Sequence, residues 1–477
     1  MADHLNNKPY GAWIAIDIAK NSNAVLSETK DGKRQNFRMA NSAADHDRFI
    51  AFLKSLPSPC IIGFEATGNY HRALGHRLAT AGFEVCFISS VASARYREVM
   101  FNSWDKNDPK DAAVLLELLK QGITQRYVAP FIAGHHDLQE LSKTYYQVTL
   151  SRTRLQHSIL THYLPLYFPE MGKWWNSTRA DWWINYLLRF PIPSAVTKHS
   201  QEQFCEIASP VVGRKVNKAA KLIELYETAQ HSIGLPVEAD SLACKTFQIQ
   251  LRRYQEINAC RKQLEETAQA VLADNPDSAI LQSVPGIGPI NALTILAEGG
   301  DLRRFSHHRQ FLKYCGFDLA KNQSGNYRGQ EQISKRGNAR LRLALWMAVN
   351  TAIAQPENSF QQKYSRYIKG APQDRDLQRK ARTAVAAKMA RVVYGLVKSK
   401  QMYQSRPAPE RRSHNGPSAP CADRGPSRRG WCIPAGIARC VGTAPSTCRR
   451  NGGRWPGCPW RCNLRCQAGL GETSAKK

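Results

Sequence analysis

Near the start of the chain, segments with the two-residue apolar period of a strand alternate with segments that have the apolar spacing of a helix. Alternating or continuous apolar stretches predict strands at residues 12–20, 23–30, 34–40, 60–66 and 83–89. Apolar residues at helical spacing predict helices at 43–56 and 70–81. The first three strands follow one another as a meander, and the later strands alternate with helices.

A meander followed by α/β alternation is typical of a mixed sheet of the ribonuclease-H-like type. We assign this α/β domain to residues 10–127. A fold of this kind hosts many activities, so the function has to be inferred from particular side chains.

The pattern becomes helical over residues 128–276. Late in this region, apolar residues have the spacing of a packed or coiled-coil helix, at Ile257, Cys260, Leu264 and Val271. We expect this helix to extend the molecule or to join subunits. Tryptophans also lie among basic residues of this region, at 174, 175, 182 and 183. Stacking on nucleic-acid bases is one interpretation, but burial in a helical core is favoured.

Residues 277–403 are predicted to form an all-α, strongly basic domain that contains a helix-hairpin-helix. Residues 404–477 differ in composition, because they are rich in Pro, Gly, Arg and Cys and lack periodicity. This segment is predicted to be a disordered tail, or the product of a reading-frame slip that replaced the natural terminus.

The basic charge of the chain indicates a polyanionic partner, because Lys and Arg that neutralise phosphates release condensed counterions. The formal charge of +29 falls to +18 when the +11 of residues 406–477 is left out. Charge alone does not distinguish DNA, RNA and an acidic membrane. No apolar run approaches the roughly 20 residues of a spanning helix, and residues 1–9 lack the apolar core of a signal peptide. We therefore expect a cytoplasmic protein without a membrane partner.

Two isolated carboxylates end apolar strands. Asp17 follows the apolar residues 13–16, and Glu65 follows 61–64. Burying such acids without a partner is costly. A divalent metal offsets that cost, and hard oxygen ligands favour Mg²⁺ or Mn²⁺.

Asp108 and Asp111 are three residues apart at the predicted start of a helix and so share one face. Taken alone, they are best explained as a helix cap and a first-turn acid that interacts with the helix dipole. Together with Asp17 and Glu65 they favour a site for two metal ions that activate a nucleophile and stabilise a leaving oxygen. Asp105 is an alternative member of this set.

Two motifs in the basic C-terminal region have the chemistry of phosphate contact. Residues 285–288 read Pro-Gly-Ile-Gly before an amphipathic helix, and Gly286 and Gly288 would let the backbone approach a phosphate at the helix N-terminus. The basic surroundings favour a backbone grip on DNA over an ordinary glycine-rich turn.

The second motif surrounds Ser334, and its neighbourhood is strongly basic through Arg328, Lys335, Arg336, Arg340 and Arg342. A serine hydroxyl needs a base or cations to act as a nucleophile, and a scissile phosphate needs its charge neutralised. On spacing alone, Ser334 is better explained as the cap of the helix that follows.

The segments IAIDIAK, GFEATGNY and KNDPKDA, followed by PGIG and SKRGN, resemble the motifs of the DEDD insertion-sequence transposases, the family numbered one hundred and ten. The resemblance extends from about residue 11 to residue 403. It implies a RuvC-like N-terminal domain and a C-terminal transposase domain in which Ser334 is the nucleophile. The family's four acids correspond to Asp17, Glu65, Asp108 and Asp111.

By this resemblance the chain is a transposase that cuts and rejoins DNA to move an insertion sequence. Its carboxylates would bind Mg²⁺ or Mn²⁺, and the residues expected to contact DNA are Gly286, Gly288, Arg328, Lys335, Arg336 and Arg340. The implied partners are the element ends, the target DNA, a noncoding guide RNA and further copies of the chain in a dimer or tetramer. The implied location is the nucleoid of the bacterial cytoplasm.

Two other functions fit part of the pattern. A metal-dependent nuclease or Holliday-junction resolvase of the RuvC type would use the carboxylates without a covalent intermediate. A nucleic-acid-binding protein without catalytic activity would use the same acids as helix caps and surface charges.

Overall fold

The structure is a computed structural model that describes residues 10–66, 68–101, 108–132, 134–177, 182–212, 217–320, 323–325, 327–329 and 331–405. Asp108 and Arg328 are described by their backbone only. The prediction of a disordered tail from residue 406 and the alternative assignment of Asp105 lie outside the described residues. No described helix is both long enough and apolar enough to cross a membrane.

The N-terminal region contains the predicted strands and helices with small shifts of their ends. Its strands are β1 (Ala12–Asp17), β2 (Ser22–Thr29), β3 (Arg34–Ala40), β4 (Cys60–Glu65), β5 (Glu84–Ile88) and β6 (Gln125–Arg126). Its helices are α1 (Ala43–Ser55), α2 (His71–Thr80), α3 (Ser90–Phe101) and α4 (Asp108–Lys120). The start of α1 is set by a helix cap, because the Ser42 side chain accepts a hydrogen bond from the backbone N–H of Asp45.

These strands form one sheet in the order β3-β2-β1-β4-β5-β6. The meander strands are antiparallel, whereas β1, β4 and β5 run parallel. The short β6 adds an antiparallel edge beside β5. The prediction of a ribonuclease-H-like mixed sheet is confirmed.

The two faces of this sheet carry alternate residues of each strand, as the two-residue period of a strand requires. Ile14, Ile16 and Phe64 pack in the core that contains α1 and α2. Ala15 and Ile61 pack in a second core with the apolar residues of α4. The α4 face therefore collects the odd-numbered positions of both β1 and β4.

The middle region is helical, as predicted. Its helices are α5 (His136–Ser158), α6 (Leu164–Tyr167), α7 (Trp182–Arg189), α8 (Pro193–Thr197), α9 (Gln201–Val212), α10 (Lys218–Gln230) and α11 (Leu242–Ala273). A π-helical turn (Ile159–Tyr163) precedes α6, and a 3₁₀ segment (Pro169–Ser177) follows it. Trp174, Trp182 and Trp183 are buried in the core of this region and Trp175 packs against it. The interpretation of the tryptophans as core residues is confirmed.

Helices α5 and α11 form an antiparallel pair. Tyr145 of α5 donates a hydrogen bond to Glu265 of α11 at 2.8 Å. Arg152 lies later in α5 and donates to residues that lie earlier in α11, to Tyr254 at 2.9 Å and to Asn258 at 2.6 Å. Polar residues thus occupy the centre of the contact between the two helices.

Within one chain the predicted apolar positions of α11 are buried only in part, and the expectation that α11 joins subunits stays a prediction. Cys260 is exposed and Val271 is 43% exposed, while Ala268 and Leu272 are buried. The contact includes Asn258 and Glu265, which apolar spacing does not detect because their side chains are polar.

The C-terminal region is mainly helical, with α12 (Pro276–Gln282), α13 (Pro289–Gly299), α14 (His308–Cys315), α15 (Ala339–Ala354), α16 (Ser359–Ile368) and α17 (Arg375–Ser399). A short 3₁₀ turn (Leu302–Arg304) lies between α13 and α14. Four two-residue strands lie between α14 and α15, at β7 (Leu319–Ala320), β8 (Gln323–Ser324), β9 (Tyr327–Arg328) and β10 (Gln332–Ile333). The fully buried side chains of Ile295, Phe311, Leu345 and Met389 belong to the common core of these helices.

Candidate active site

Asp17 and Glu65 end two neighbouring parallel strands. The β1–β4 register pairs Ile16 with Phe64, and the next residue of each strand is the acid. Both acids are partly buried. The structure therefore brings these two predicted residues side by side at the carboxyl edge of the sheet.

Both acids belong to the sheet face that α4 covers. Asp17 continues the row of Ala15, and Glu65 continues the row of Ile61 and Gly63. The close packing of α4 depends on Gly63, because a Cβ at that position would lie 3.0 Å from Cδ1 of Leu119.

The direction of α4 brings its first turn toward the same edge. Its last residue, Lys120, contacts Glu28 at 2.8 Å, and Glu28 pairs with Trp13 near the opposite end of β1. The helix thus runs antiparallel to β1, and Asp111 in its first turn lies toward the end of the sheet that carries Asp17 and Glu65.

Asp111 is buried and faces a cation that the sequence did not reveal. Nη2 of Arg97, in α3, lies 2.5 Å from Oδ1 of Asp111, close enough for an ion pair although the two groups are not aligned for a hydrogen bond. Both side chains are largely shielded from solvent. Arg97 therefore neutralises one of the four predicted acids.

The described side chains, which include Asp17, Glu65 and Asp111 but not Asp108, contain no group of three acids, histidines or cysteines close enough to hold one metal ion. The carboxylates of Asp17, Glu65 and Asp111 nevertheless have the oxygen ligands that a hard cation prefers. They lie at one edge of the sheet and on the face that α4 covers. Asp108 begins α4 in the backbone description. Its role and the helix-cap alternative stay predictions.

Ser334 follows the last residue of β10 and does not cap a helix. The N-cap of α15 is Asn338, whose side chain accepts a hydrogen bond from the N–H of Leu341. The alternative explanation of Ser334 as a cap was wrong because the helix begins later than spacing suggests. The Ser334 hydroxyl instead donates a hydrogen bond to Oδ1 of Asp318 and accepts one from the N–H of Arg336 at 3.2 Å.

The Asp318 contact was missed in the sequence. The β7–β10 register pairs Leu319 with Ile333, so Asp318 and Ser334 form the next pair, with the N–H of Ser334 donating to the carbonyl of Asp318 at 2.7 Å. These strands are two residues long, which is too short to give a periodic signal.

The backbone around Ser334 is held by its neighbours. Lys335 has a positive φ of 54°, and its carbonyl accepts a hydrogen bond from Nη1 of Arg342 at 3.4 Å. Gly337 packs so closely on α14 that a Cβ would lie 2.4 Å from the carbonyl oxygen of Tyr314. The segment that follows the serine is therefore fixed by a hydrogen bond and by packing on α14.

The cations predicted to contact DNA have different environments. Lys335 and Arg336 are exposed beside Ser334. Arg340 forms an ion pair with Glu298 of α13, with Nη2 and Oε1 2.8 Å apart. Glu298 also accepts a hydrogen bond from Asn338 at 2.6 Å, so Arg340 belongs to a link between α13 and α15.

The two glycines of the Pro-Gly-Ile-Gly turn also differ. Gly286 has a φ of +85°, and a Cβ there would lie 2.1 Å from the carbonyl oxygen of Ala348, so its contacts are with α15. Gly288 is exposed, has open space around it and is the N-cap of α13. The structure thus accounts for Gly286 by packing, and DNA contact by either glycine stays a prediction.

Models of known protein families match both the region that contains Ser334 and the region that contains the predicted acids. Residues 278–365, which include Ser334 and Asp318, match the model described as the transposase IS116/IS110/IS902 family. Residues 14–169, which include the four predicted acids, match a model of DEDD transposases of the IS110 type, described as transposase.

The chain is also similar to individual transposases. It is 31% identical over 362 residues to a probable family 20 transposase of Pseudomonas aeruginosa, covering 74% of this chain and 88% of that protein. It is 32% identical over 140 residues to the transposase for insertion sequence element IS1111A of Coxiella burnetii, covering 29% of this chain and 38% of that protein. An insertion element IS116 protein of Streptomyces clavuligerus is 23% identical over 83% of this chain and 96% of its own length. The chain therefore belongs to the IS116/IS110/IS902 family of transposases, which act on DNA.

Proposed function

We propose that this transposase breaks and rejoins DNA through Ser334, which attacks a phosphate and forms a phosphoserine link. The observation that carries the proposal is the environment of the hydroxyl. It is held by a carboxylate and by a backbone N–H, and exposed Lys335 and Arg336 follow it directly. Cations at that position would neutralise the phosphate during attack.

Asp17, Glu65, Asp108 and Asp111 would hold Mg²⁺, or Mn²⁺ in its place. The fit rests on the chemistry of the donors and on the shared edge and face of Asp17, Glu65 and the first turn of α4. Such an ion would supply positive charge beside a reacting phosphate. Arg97 would release Asp111 on metal binding or remain as a second cation beside it.

The partners in this proposal are the element ends, the target DNA, a noncoding guide RNA and further copies of the chain in a dimer or tetramer. A surface that supports a nucleic-acid partner lies on α16 and α17. Among the described residues, several cations there have no acidic partner within ion-pair distance, and we call four of them the α16–α17 cation cluster: Lys363, Arg366, Lys388 and Arg391.

The pKa shifts of the two lysines of this cluster agree with burial beside crowded positive charge. Burial, followed by the charge of Arg391, lowers the pKa of Lys363, and burial, followed by the charges of Lys363 and Arg366, lowers the pKa of Lys388. A polyanion would relieve this repulsion. The exposed Gly288 at the start of α13 offers a further backbone contact for a phosphate, as in a helix-hairpin-helix.

The proposal is tested by trapping the covalent link. Wild-type protein is incubated with DNA that carries the element ends and Mg²⁺, and the products are separated on a denaturing gel. We expect a protein–DNA adduct that disappears in Ser334→Ala. Ser324→Ala, an exposed serine in β8, is the matched control and should form the adduct normally.

Metal dependence is tested in the same assay. Asp17→Asn and Glu65→Gln should each lower strand cleavage by about a hundredfold or more, because charge stabilisation of a transition state is worth several kcal/mol. Hydrolysed ends without an adduct in the wild type would favour a nuclease or junction resolvase of the RuvC type. Full activity of both carboxylate variants would indicate that the acids have no catalytic part.

A further inference from the structure

The hydroxyl of Ser334 donates a hydrogen bond to a carboxylate, that of Asp318. Asp318 lies immediately before β7 and Ser334 immediately after β10, so the pair extends the β7–β10 pairing by one residue. Two hydrogen bonds join the pair, from the Ser334 N–H to the Asp318 carbonyl and from the Ser334 hydroxyl to Oδ1 of Asp318. Both Asp318 and Ser334 are partly exposed.

We infer that Asp318 is the general base that takes the proton from Ser334 when the serine attacks DNA. This inference rests on the proposed nucleophilic role of Ser334. The hydrogen bond already points from the hydroxyl to the carboxylate, which is the direction of the proton transfer. A base within hydrogen-bond distance of the proton that it removes satisfies the geometric requirement for general base catalysis.

The other charged groups around the pair do not fill this role. Lys335 and Arg336 follow the serine, Arg342 of α15 donates to the backbone of Lys335, and Lys313 lies near the end of α14. These groups are cations, which assist the attack by attracting the phosphate. Cys315 is buried, which raises the pKa of its thiol, so that thiol is a poor base at neutral pH.

The step balances as follows. Oγ of Ser334 forms a bond to phosphorus, and its proton passes to Oδ1 of Asp318. The bond between phosphorus and one sugar oxygen breaks, and that oxygen leaves with the bonding pair and takes a proton from water. Asp318 returns its proton to solvent, so that the net change is an exchange of one phosphate ester for another.

The backbone N–H of Arg336 contributes to the geometry of this step. It donates to Oγ of Ser334 at 3.2 Å, so one lone pair of the oxygen is held while the proton faces Asp318. The positive φ of Lys335 makes this turn possible. The arrangement fixes the rotamer of the serine before DNA arrives.

The experiment measures the rate of adduct formation between the full-length protein and element-end DNA as a function of pH. Asp318→Asn keeps the size of the side chain and an oxygen that can accept the hydrogen bond, but it removes the base. We expect the rate at neutral pH to fall by about 10² to 10⁴, the usual contribution of general base catalysis. The remaining rate should rise tenfold per pH unit, because hydroxide then has to remove the proton, whereas the wild-type rate should become independent of pH once the base is ionised.

A structural role for Asp318 gives a different result. In that case Asp318→Asn would keep the hydrogen bond and the wild-type rate and pH profile, which would overturn the inference. Glu331→Gln, an exposed acid immediately before β10, is the matched control and should leave both unchanged.

The fold of each variant is checked by thermal unfolding. If Asp318→Asn unfolds at a lower temperature, Asp318→Glu replaces it in the comparison, because glutamate retains the base. A rate within about tenfold of the wild type with the wild-type pH profile would support the inference, and a decrease comparable with that of the asparagine variant would overturn it. An adduct that persists in Ser334→Ala would instead overturn the proposed function itself.

Discussion

Arg97 and Asp111 form a buried ion pair at the start of α4, with Nη2 and Oδ1 2.5 Å apart. The pair connects α3 to the helix that carries two of the four predicted metal ligands. A buried carboxylate needs a compensating charge. In the absence of metal Arg97 supplies that charge, and a bound metal ion would supply it in another way.

Removing the arginine should therefore make the fold more dependent on metal. Arg97→Gln leaves Asp111 buried without its partner, and we expect a decrease of about 3 kcal/mol in the free energy of unfolding when EDTA is present. Mg²⁺ should restore more stability to this variant than to the wild type, because it replaces the missing charge. Thermal unfolding with EDTA and with Mg²⁺ measures both effects.

The control for this prediction lies on the same helix. Arg95 is 75% exposed and pairs with Glu98 at the surface, so Arg95→Gln should change stability by less than about 1 kcal/mol in either buffer. Equal stabilisation of the wild type and Arg97→Gln by Mg²⁺ would show that Asp111 does not bind the ion.

Glu28 gives the α/β domain a pH-dependent contribution to stability. Its carboxylate is largely buried and contacts Lys120 at 2.8 Å and Arg34 at 2.6 Å. Burial opposes its ionisation, but the hydrogen bonds from Lys120 and Arg34 outweigh that effect and lower the pKa of Glu28 below its ordinary value of 4.5. Its stabilising effect is therefore present above the unfolded-state pKa and disappears as the pH falls through the lower folded-state pKa.

Glu28→Gln should accordingly be less stable than the wild type by about 1 to 2 kcal/mol at neutral pH. The difference should shrink as the pH falls below the ordinary value of 4.5 and disappear below the lower folded-state pKa, where the wild-type carboxylate is protonated as well. Urea unfolding at several pH values measures this difference, with Glu98→Gln, whose side chain is 38% exposed, as the less buried control. A difference that stays constant down to about pH 3 would show that charge is not its origin.

The sheet and its two edge acids follow from the sequence because they depend on local pattern. Strands of six or more residues with apolar runs define β1 and β4, and an acid at the end of each is visible as the first break in the run. Once β1 and β4 are parallel neighbours in the sheet, their ends lie side by side, and Asp17 and Glu65 therefore lie together.

The partners of these residues do not follow from the sequence, because they depend on tertiary contacts. Asp318 meets Ser334 across strands of two residues, and Arg97 meets Asp111 between two helices. The polar centre of the α5–α11 contact shows the same limit, because Asn258 and Glu265 are part of the contact through hydrogen bonds and not through apolar spacing.

Gly286 and Gly288 should respond differently to the same substitution. Gly286→Ala combines a left-handed backbone with a Cβ 2.1 Å from a carbonyl oxygen of α15, so we expect a destabilisation of at least about 2 kcal/mol or an insoluble protein. Gly288→Ala meets open space and should change stability by less than about 1 kcal/mol. Thermal unfolding separates the two.

DNA binding by the stable variant then tests the backbone-grip prediction at this turn. If Gly288 lets a phosphate approach the start of α13, Gly288→Ala should weaken binding although the fold is intact. Unchanged affinity would leave the turn with a structural role only.

The α16–α17 cation cluster should determine how strongly DNA binding depends on salt. Lys363, Arg366 and Arg391 lack acidic partners among the described residues, so each is available to a phosphate. Replacing all three by glutamine should lower the affinity for duplex DNA and reduce the slope of log K against log salt by about 1 for each phosphate that the variant no longer neutralises. The affinity should fall equally for related and unrelated sequences, because binding to phosphate carries no sequence information.

A matched triple variant removes the same charge from another surface. Arg252, Arg253 and Lys262 are exposed on α11, and their replacement by glutamine lowers the net charge by the same amount. Because long-range attraction depends on total charge and direct contact depends on position, only the α16–α17 variant should change the salt slope by the full amount. Equal slopes for the two variants, measured by fluorescence anisotropy over a salt series, would show that the cluster contributes through net charge alone and does not touch DNA.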